Sequence, residues 1–315
     1  MTRFFDAGQV RAALSPVACV DAVSRAMIEL STTAREQPLR QIVPVASAKI
    51  FALMPGLLPG SGLVGAKVVT AFPAAERPDR SQHRGMVLGF DRETGVLVGV
   101  ADAGEVTLIR TAAASAVATR TLARPDAATC AILGIGEQAR SHIRVFAATI
   151  PLERFVVWGR DPALVAAFVA DVAQDVSIPV EAVASFDAAA AQADVICTVT
   201  SASEPFLSMG QVRPGTHINA VGSSFAGPRE IGADLVASSR YFVDCRPYAL
   251  VAAAEFLEAK RIGMIDDAHI VAEIGEVLAG LNDGRRDDKE ITLYKSLGHI
   301  AQDLAAVRCL IETVA

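Results

Sequence analysis

Two hydrophobic periods succeed one another along this chain. Residues 15–31 place Val17, Val20, Val23, Met27 and Leu30 at helical spacing, with Ser15 positioned to cap the helix and Pro16 suited to its first turn. From 40 to 102 the pattern becomes that of strands, in RQIVPV, AKIFALMP, GLVGAKVVTAF, RGMVLGFD and VLVGVAD. The last two are joined by Asp91–Gly95, a hairpin loop ending in glycine. An Ala-rich helix over about 105–123 leads to Arg124-Pro125-Asp126, a natural boundary. Short apolar runs then alternate with helical stretches: strands are expected at 129–133, 154–158, 179–183, 194–200, 216–221 and 241–244. That alternation predicts a parallel sheet covered by helices. The last segment, EITLYKSLGHIAQDLAAVRCLIETV, reads as a strand followed by a long terminal helix.

One turn in this pattern points to chemistry. In TCAILGIGEQAR the apolar run 129–133 breaks into Gly134-Ile135-Gly136 and then becomes polar and helical. A first glycine permits the tight turn, and a second lets the backbone approach a pyrophosphate at the positive end of the next helix. Ala139 stands where a third glycine is usual and is small enough for close packing of helix on strand. G-x-G-x-x-A alone is a weak signal. Here a strand precedes it, a helix follows, and a second strand, RFVVW, comes at the expected distance, so a dinucleotide-binding βαβ unit is predicted.

Composition narrows the class. The 315 residues are 52% hydrophobic and 20% charged, which describes a globular chain long enough for two domains. No apolar stretch approaches the roughly 18 residues of a membrane span, and Asp6 and Arg11 interrupt any signal-peptide core. A cytoplasmic location is expected. The net charge of −6 argues against nucleic acid as a partner. Cys19, Cys130, Cys197, Cys245 and Cys309 lie far apart in sequence with no C-x-x-C, so buried free thiols are expected and no metal site.

Several segments together resemble the ornithine cyclodeaminase/mu-crystallin family: Gly65-Ala66-Lys67, HRGMVLGFDRETGVLVGVAD, LIRTAAAS, LGIGEQA, VRPGTHINAVG and EITLYKSLGHIAQD. They occur in the family's order over most of the chain. The resemblance implies an α/β fold in which a Rossmann-type, doubly wound parallel-sheet domain, 124–291, is accompanied by a discontinuous α+β domain from 1–123 and 292–315. The latter would bind substrate and dimerise through its sheet. The implied active site lies in the interdomain cleft, and the implied partners are a small amino or imino acid and a second copy of the chain.

Three basic residues stand in apolar surroundings, Arg40, Lys67 and Arg110. Each alone reads as a surface charge. The resemblance makes them the carboxylate-binding set, with Lys67 also able to move a proton, and adds Met54 and Leu297 to the substrate pocket. It places the cofactor against Arg110, Thr111, Gly134, Gly136, Glu137, Gln138, Ala139, Thr198, Val221, Gly222, Ser223, Lys295 and Ser296. His83 and Arg84 join this set, although His83 reads equally well as an ordinary loop histidine. After the second Rossmann strand comes Trp158-Gly159-Arg160-Asp161: Gly159 replaces the acid of NAD-using cyclodeaminases, and Arg160 follows to meet a 2′-phosphate, so NADP(H) is expected over NAD(H). Asp161 reads as the start of the next helix, ahead of Pro162.

The departures from the cyclodeaminase pattern fall at three positions. Ser224 occupies the place of the catalytic acid after NAVG, Ala52 that of a second acid, and Lys295 that of a third. Each removes negative charge from where an ornithine δ-ammonium would need it, and a serine is a poor base. The expected activity is NAD(P)H-dependent reduction of a cyclic 2-imino acid such as 1-pyrroline-2-carboxylate, with Lys67 or a water held by Ser224 supplying the proton. The alternatives are ornithine cyclodeamination with tightly held NAD, and a non-catalytic nucleotide-binding protein of the crystallin kind.

Overall fold

The computed structural model describes residues 1–33, 37–47, 49–72 and 83–313. In chain order the first elements are β1 (Arg3–Phe5), α1 (Ala7–Ala13), α2 (Pro16–Thr32), β2 (Gln41–Ala46), β3 (Lys49–Leu58), β4 (Leu63–Ala71), β5 (His83–Asp91), β6 (Leu97–Asp102) and α3 (Ala103–Leu122). There follow β7 (Thr129–Leu133), α4 (Glu137–Thr149), β8 (Arg154–Trp158), α5 (Pro162–Val172), β9 (Val180–Ala182), α6 (Phe186–Ala190), β10 (Val195–Thr198) and β11 (His217–Ala220). The chain ends with α7 (Ala233–Ser238), β12 (Arg240–Val243), α8 (Arg246–Ala252), α9 (Ala254–Arg261), β13 (Ile270–Glu273), α10 (Ile274–Leu278), β14 (Thr292–Lys295) and α11 (Ile300–Thr313). Two compact units result, residues 1–114 with 299–315, and residues 115–298.

The local signals act where they stand in the sequence. Ser15 Oγ accepts from the amide of Ala18, Pro16 opens α2, and Val20, Val23 and Met27 are buried, whereas Val17 is exposed. Asp91 accepts from the amides of Glu93 and Thr94 and from the Thr94 hydroxyl, closing the β5–β6 hairpin. Asp161 caps α5 through the amides of Ala163 and Leu164.

In the first unit six strands pair in the order β1-β6-β5-β4-β3-β2, antiparallel except for β1 beside β6. Gly56, Gly65, Gly89 and Gly99 are register partners across four adjacent strands. Helix α11 crosses the sheet on this row: a Cβ on Gly56 would strike Ile300, on Gly65 Leu304, and on Gly99 Val307 and Ile311. These glycines therefore serve close approach of helix to sheet. On the opposite face Phe51, Val64 and Met86 are exposed, as is Val43, the register partner of Phe51 on β2. RQIVPV was expected as a strand, and β2 is one, at the sheet edge with every residue exposed.

The second unit is an eight-stranded, wholly parallel sheet in the order β13-β12-β14-β11-β10-β7-β8-β9. The order reverses between β7 and β10, the kind of switch point where α/β sheets bind ligands. The strand expected near 292, assigned by resemblance to the first domain, instead lies between β11 and β12 of this sheet. The chain's return to the first unit begins at His299. All five cysteines are free; four are buried, and Cys309 is partly exposed. Cys130 and Cys197, distant in sequence, meet on neighbouring strands, where burial and the facing thiol push Cys130 well above the ordinary thiol range.

Gly65→Ala tests the glycine row. The new methyl would meet the Leu88 carbonyl and lie 2.9 Å from Leu304, so we expect a loss of at least about 2 kcal/mol of unfolding free energy in denaturant titration. An unchanged midpoint would show that α11 can lift from the sheet without cost.

Candidate active site

In the second unit β7 leads into α4 through a cradle. Gly134 has φ +129°, and a Cβ there would lie 2.8 Å from the Val199 carbonyl, so neither the turn nor the space admits a side chain. Gly136 is the N-cap of α4, and a Cβ on it would meet nothing within 4 Å. Ala139 is fully buried, and Gln138 presents a buried side-chain oxygen with no hydrogen-bond partner among the described residues. An open helix N-terminus reached over a glycine fits a dinucleotide pyrophosphate. Glu137 is exposed at the first position of α4. At the end of β8, Trp158 makes ring contacts with Phe186 and Phe206, at 5.3 and 5.9 Å between centroids. Arg160 is exposed just beyond.

A buried carboxylate organises the loops after β10 and β11. Glu230 accepts from the Thr198 hydroxyl at 2.7 Å, from the Thr200 amide and hydroxyl at 2.7 and 2.6 Å, and from the Gly222 amide at 2.8 Å. Burial pushes its carboxyl up, against the pull of the Thr200 and Thr198 hydrogen bonds. Its own backbone amide donates to Glu255, whose other oxygen lies 2.9 Å from Lys295 Nζ. Lys295 is fully buried, so its charge meets an acid within the unit. Val221 and Gly222 both donate backbone amides to the Thr198 carbonyl, and the Ser223 hydroxyl donates to the Pro228 carbonyl at 2.5 Å. Ser224 is half-buried and Ser296 buried, while the amides of Leu297 and Gly298 donate to Asp244 at 3.0 and 2.6 Å.

In the first unit two cations share one oxygen. Lys67 Nζ lies 3.2 Å and Arg110 Nε 3.1 Å from Asp303 Oδ1. Arg110 Nη1 also donates to Gln302 Oε1 at 3.0 Å, and Lys67 Nζ to Thr107 Oγ1 at 2.5 Å. The Thr107 hydroxyl is itself directed to the Ala103 carbonyl and can only accept from the lysine. Lys67, Arg110, Gln302 and Asp303 are all buried. Burial lowers Lys67, and although Asp303 opposes this, Arg110 and Arg40 add to it, bringing its pKa to about 7. Burial works against ionised Asp303, but Lys67 and Arg110 outweigh it and hold the carboxyl below the usual range. Met54 is the cross-strand partner of Lys67 and is buried beside it; Thr111 is buried on α3; Arg40 and Arg84 are half-buried. The side chain of His83 lies outside the described residues.

Asp303, Gln302, Thr107 and Glu255 were not among the residues expected at the site. A signal for Asp303 existed: a carboxylate flanked by the mostly apolar IAQ and LAAV needs a cationic partner if that stretch is buried. Among the described residues no group of three His, Cys, Asp or Glu side chains could hold a metal, and no helix is long and apolar enough to cross a membrane.

The family profile of ornithine cyclodeaminase/mu-crystallin proteins matches residues 2–315. The chain belongs to that family. Ketimine reductase mu-crystallin of Mus musculus is 34% identical over 278 residues, covering 88% of this chain and 85% of the relative. Among solved structures, Thermococcus litoralis Delta(1)-pyrroline-2-carboxylate reductase in complex with NADH and L-proline superposes with a TM-score of 0.94 at 29% identity, over 99% of this chain and 97% of the other. An archaeal alanine dehydrogenase dimer with bound NAD gives 0.91 at 26% identity, over 99% and 96%. In this member of the ornithine cyclodeaminase/mu-crystallin family, Lys67, Arg110 and Met54 are brought together in the first unit. Thr198, Val221, Gly222 and Lys295 are gathered in the second.

Glu255→Ala would leave Lys295 buried without its acid. The expected cost is about 3 kcal/mol of unfolding free energy, with a smaller loss for Glu255→Gln. Equal stability of Glu255→Ala and the parent protein would show that another group neutralises Lys295.

Proposed function

We propose that this protein reduces a 2-imino acid, a cyclic one such as 1-pyrroline-2-carboxylate, to the L-amino acid. The observation that carries the reading is the buried pair Lys67 and Arg110 on a single Asp303 oxygen. Two cations against one carboxylate leave one net positive charge, which suits the carboxylate of an imino acid. The Arg110 guanidinium retains donors beyond those on Asp303 and Gln302, and its planar fork is suited to carboxylate recognition. NAD(P)H, when bound at the Gly134–Gly136 cradle, supplies the hydride. Lys67, near neutrality in its pKa, gives a proton to the imine nitrogen and regains one from water.

The same geometry weighs against cyclodeamination. That reaction needs an acid near Ser224 for the side-chain amine, and the nearest acid along the chain, Glu230, already takes four hydrogen bonds in the loops it joins. Lys67→Ala and Arg110→Ala are each expected to lower kcat/KM for imine reduction at least about tenfold, some 1.4 kcal/mol in the barrier. A paired assay measures NADPH consumption with 1-pyrroline-2-carboxylate and ammonia release from L-ornithine with NAD. Ammonia release in step with proline formation would overturn the reading, and inactivity across an imine panel would favour a binding protein without turnover.

For the cofactor we infer NADP(H). Gly159 leaves no acid for the adenosine ribose, Asp161 is engaged as the cap of α5, and Arg160 is exposed beside them. Arg160→Ala should weaken NADPH binding at least about tenfold and NADH binding little, because only NADPH offers a 2′-phosphate to the guanidinium. Isothermal titration with both nucleotides checks this, and equal losses would contradict it. The apolar sheet face bearing Phe51, Val64 and Met86 is read as the seat of a second copy of the chain, in keeping with the dimeric alanine dehydrogenase that it resembles.

A further inference from the structure

We propose that Asp303 is the positioning residue of the proton transfer: its Oδ1 fixes Lys67 Nζ and Arg110 Nε at one point and keeps the lysine charged until the imine nitrogen takes the proton. The inference rests on the imine-reduction reading and adds the residue that sets its pH dependence.

The geometry carries it. An ammonium has three N–H donors. One goes to Thr107 Oγ1 and one to Asp303 Oδ1, which leaves a third for a ligand. Arg110 approaches the same oxygen from α3, and Gln302, the neighbour of Asp303 on α11, holds its Nη1. The charged and titratable groups acting on Lys67 are thus Asp303 from α11, Arg110 from α3 and Arg40 ahead of β2. His299, ahead of α11, interacts with Asp303, Arg40 and Arg110, and burial keeps it neutral, with a pKa of about 4. Asp303 is therefore the only negative charge among these groups. Without it, burial and two arginines would together strip Lys67 of its proton at neutral pH.

In the reaction the imine carbon gains a hydride and the nitrogen a proton, so that C=N becomes CH–NH and Nζ is left neutral. Reduction then needs charged Lys67 and falls as pH rises through its pKa. Oxidation of the amino acid needs neutral Lys67 and rises over the same range. Asp303→Asn keeps the shape and removes the charge. Both limbs are expected to move down by at least about one pH unit. Thr107→Val, which removes the other partner without altering charge, should lower kcat and leave both limbs in place.

A direct readout accompanies the kinetics: NMR of [15Nζ]lysine-labelled protein, with the Lys67 signal assigned by Lys67→Arg. The wild-type signal should titrate near 7, and in Asp303→Asn at least about one unit lower. Limbs and signal unmoved in folded Asp303→Asn would overturn the proposal. So would a wild-type Lys67 already neutral at about pH 6 with Asp303 in place, a result that decides the matter even if Asp303→Asn does not fold. A wild-type protein inactive on every imine would instead remove the imine-reduction reading, with the NMR titration still reporting whether Asp303 holds the lysine's proton.

Discussion

A single carboxylate oxygen, Asp303 Oδ1, holds two buried cations of the first unit together. It satisfies Lys67 on β4 and Arg110 on α3 at once, with both cations almost wholly buried. Burying two cations costs several kcal/mol each unless an anion and well-directed hydrogen bonds accompany them. Asp303, Gln302 and Thr107 provide these. The arrangement exists only because α11 lies close on the sheet, and the helix can lie there only because four strands present glycine beneath it. Packing and chemistry are one constraint: the residues that let Ile300, Leu304 and Val307 settle also bring Asp303 within reach of Lys67.

The second unit uses its buried acids in a related way. Glu230 ties the loops after β10 and β11 to each other, and Glu255 neutralises Lys295 on β14. These carboxylates are enclosed by donors of the protein itself. Where the resemblance to cyclodeaminases leads one to expect acids, this chain carries Ser224, Ala52 and Lys295. The division of labour suits a substrate that brings a carboxylate and an imine and no free side-chain amine.

The features legible along the chain were those whose cause is local. Ser15, Pro16 and Asp161 mark helix starts because a cap and its helix are adjacent in sequence. Asp91 and Gly95 close a hairpin for the same reason. Gly134, Gly136 and Ala139 describe a strand, a turn and a helix within a dozen residues, and the parallel sheet follows from the alternation around them. Lys67 and Arg110 stood out as charges in apolar segments, each alone reading as a surface charge until the family resemblance set them around a carboxylate.

The partners of these two cations were settled only by folding. Asp303 is 236 positions from Lys67 and 193 from Arg110, and nothing near it in sequence announces which cations it meets. The row of glycines is invisible until strand register aligns it, since each glycine taken singly reads as a turn or a weak point. Strand β14 follows β13 in the chain yet inserts between β11 and β12, because a sheet strand goes where its hydrogen bonds and both buried faces are satisfied. The sequence by itself determined the elements, the nucleotide turn and the basic residues. The tertiary structure decided which acid each base would hold, because a buried charge is paired by whatever the packing brings within about 3 Å of it, however far along the chain that partner lies.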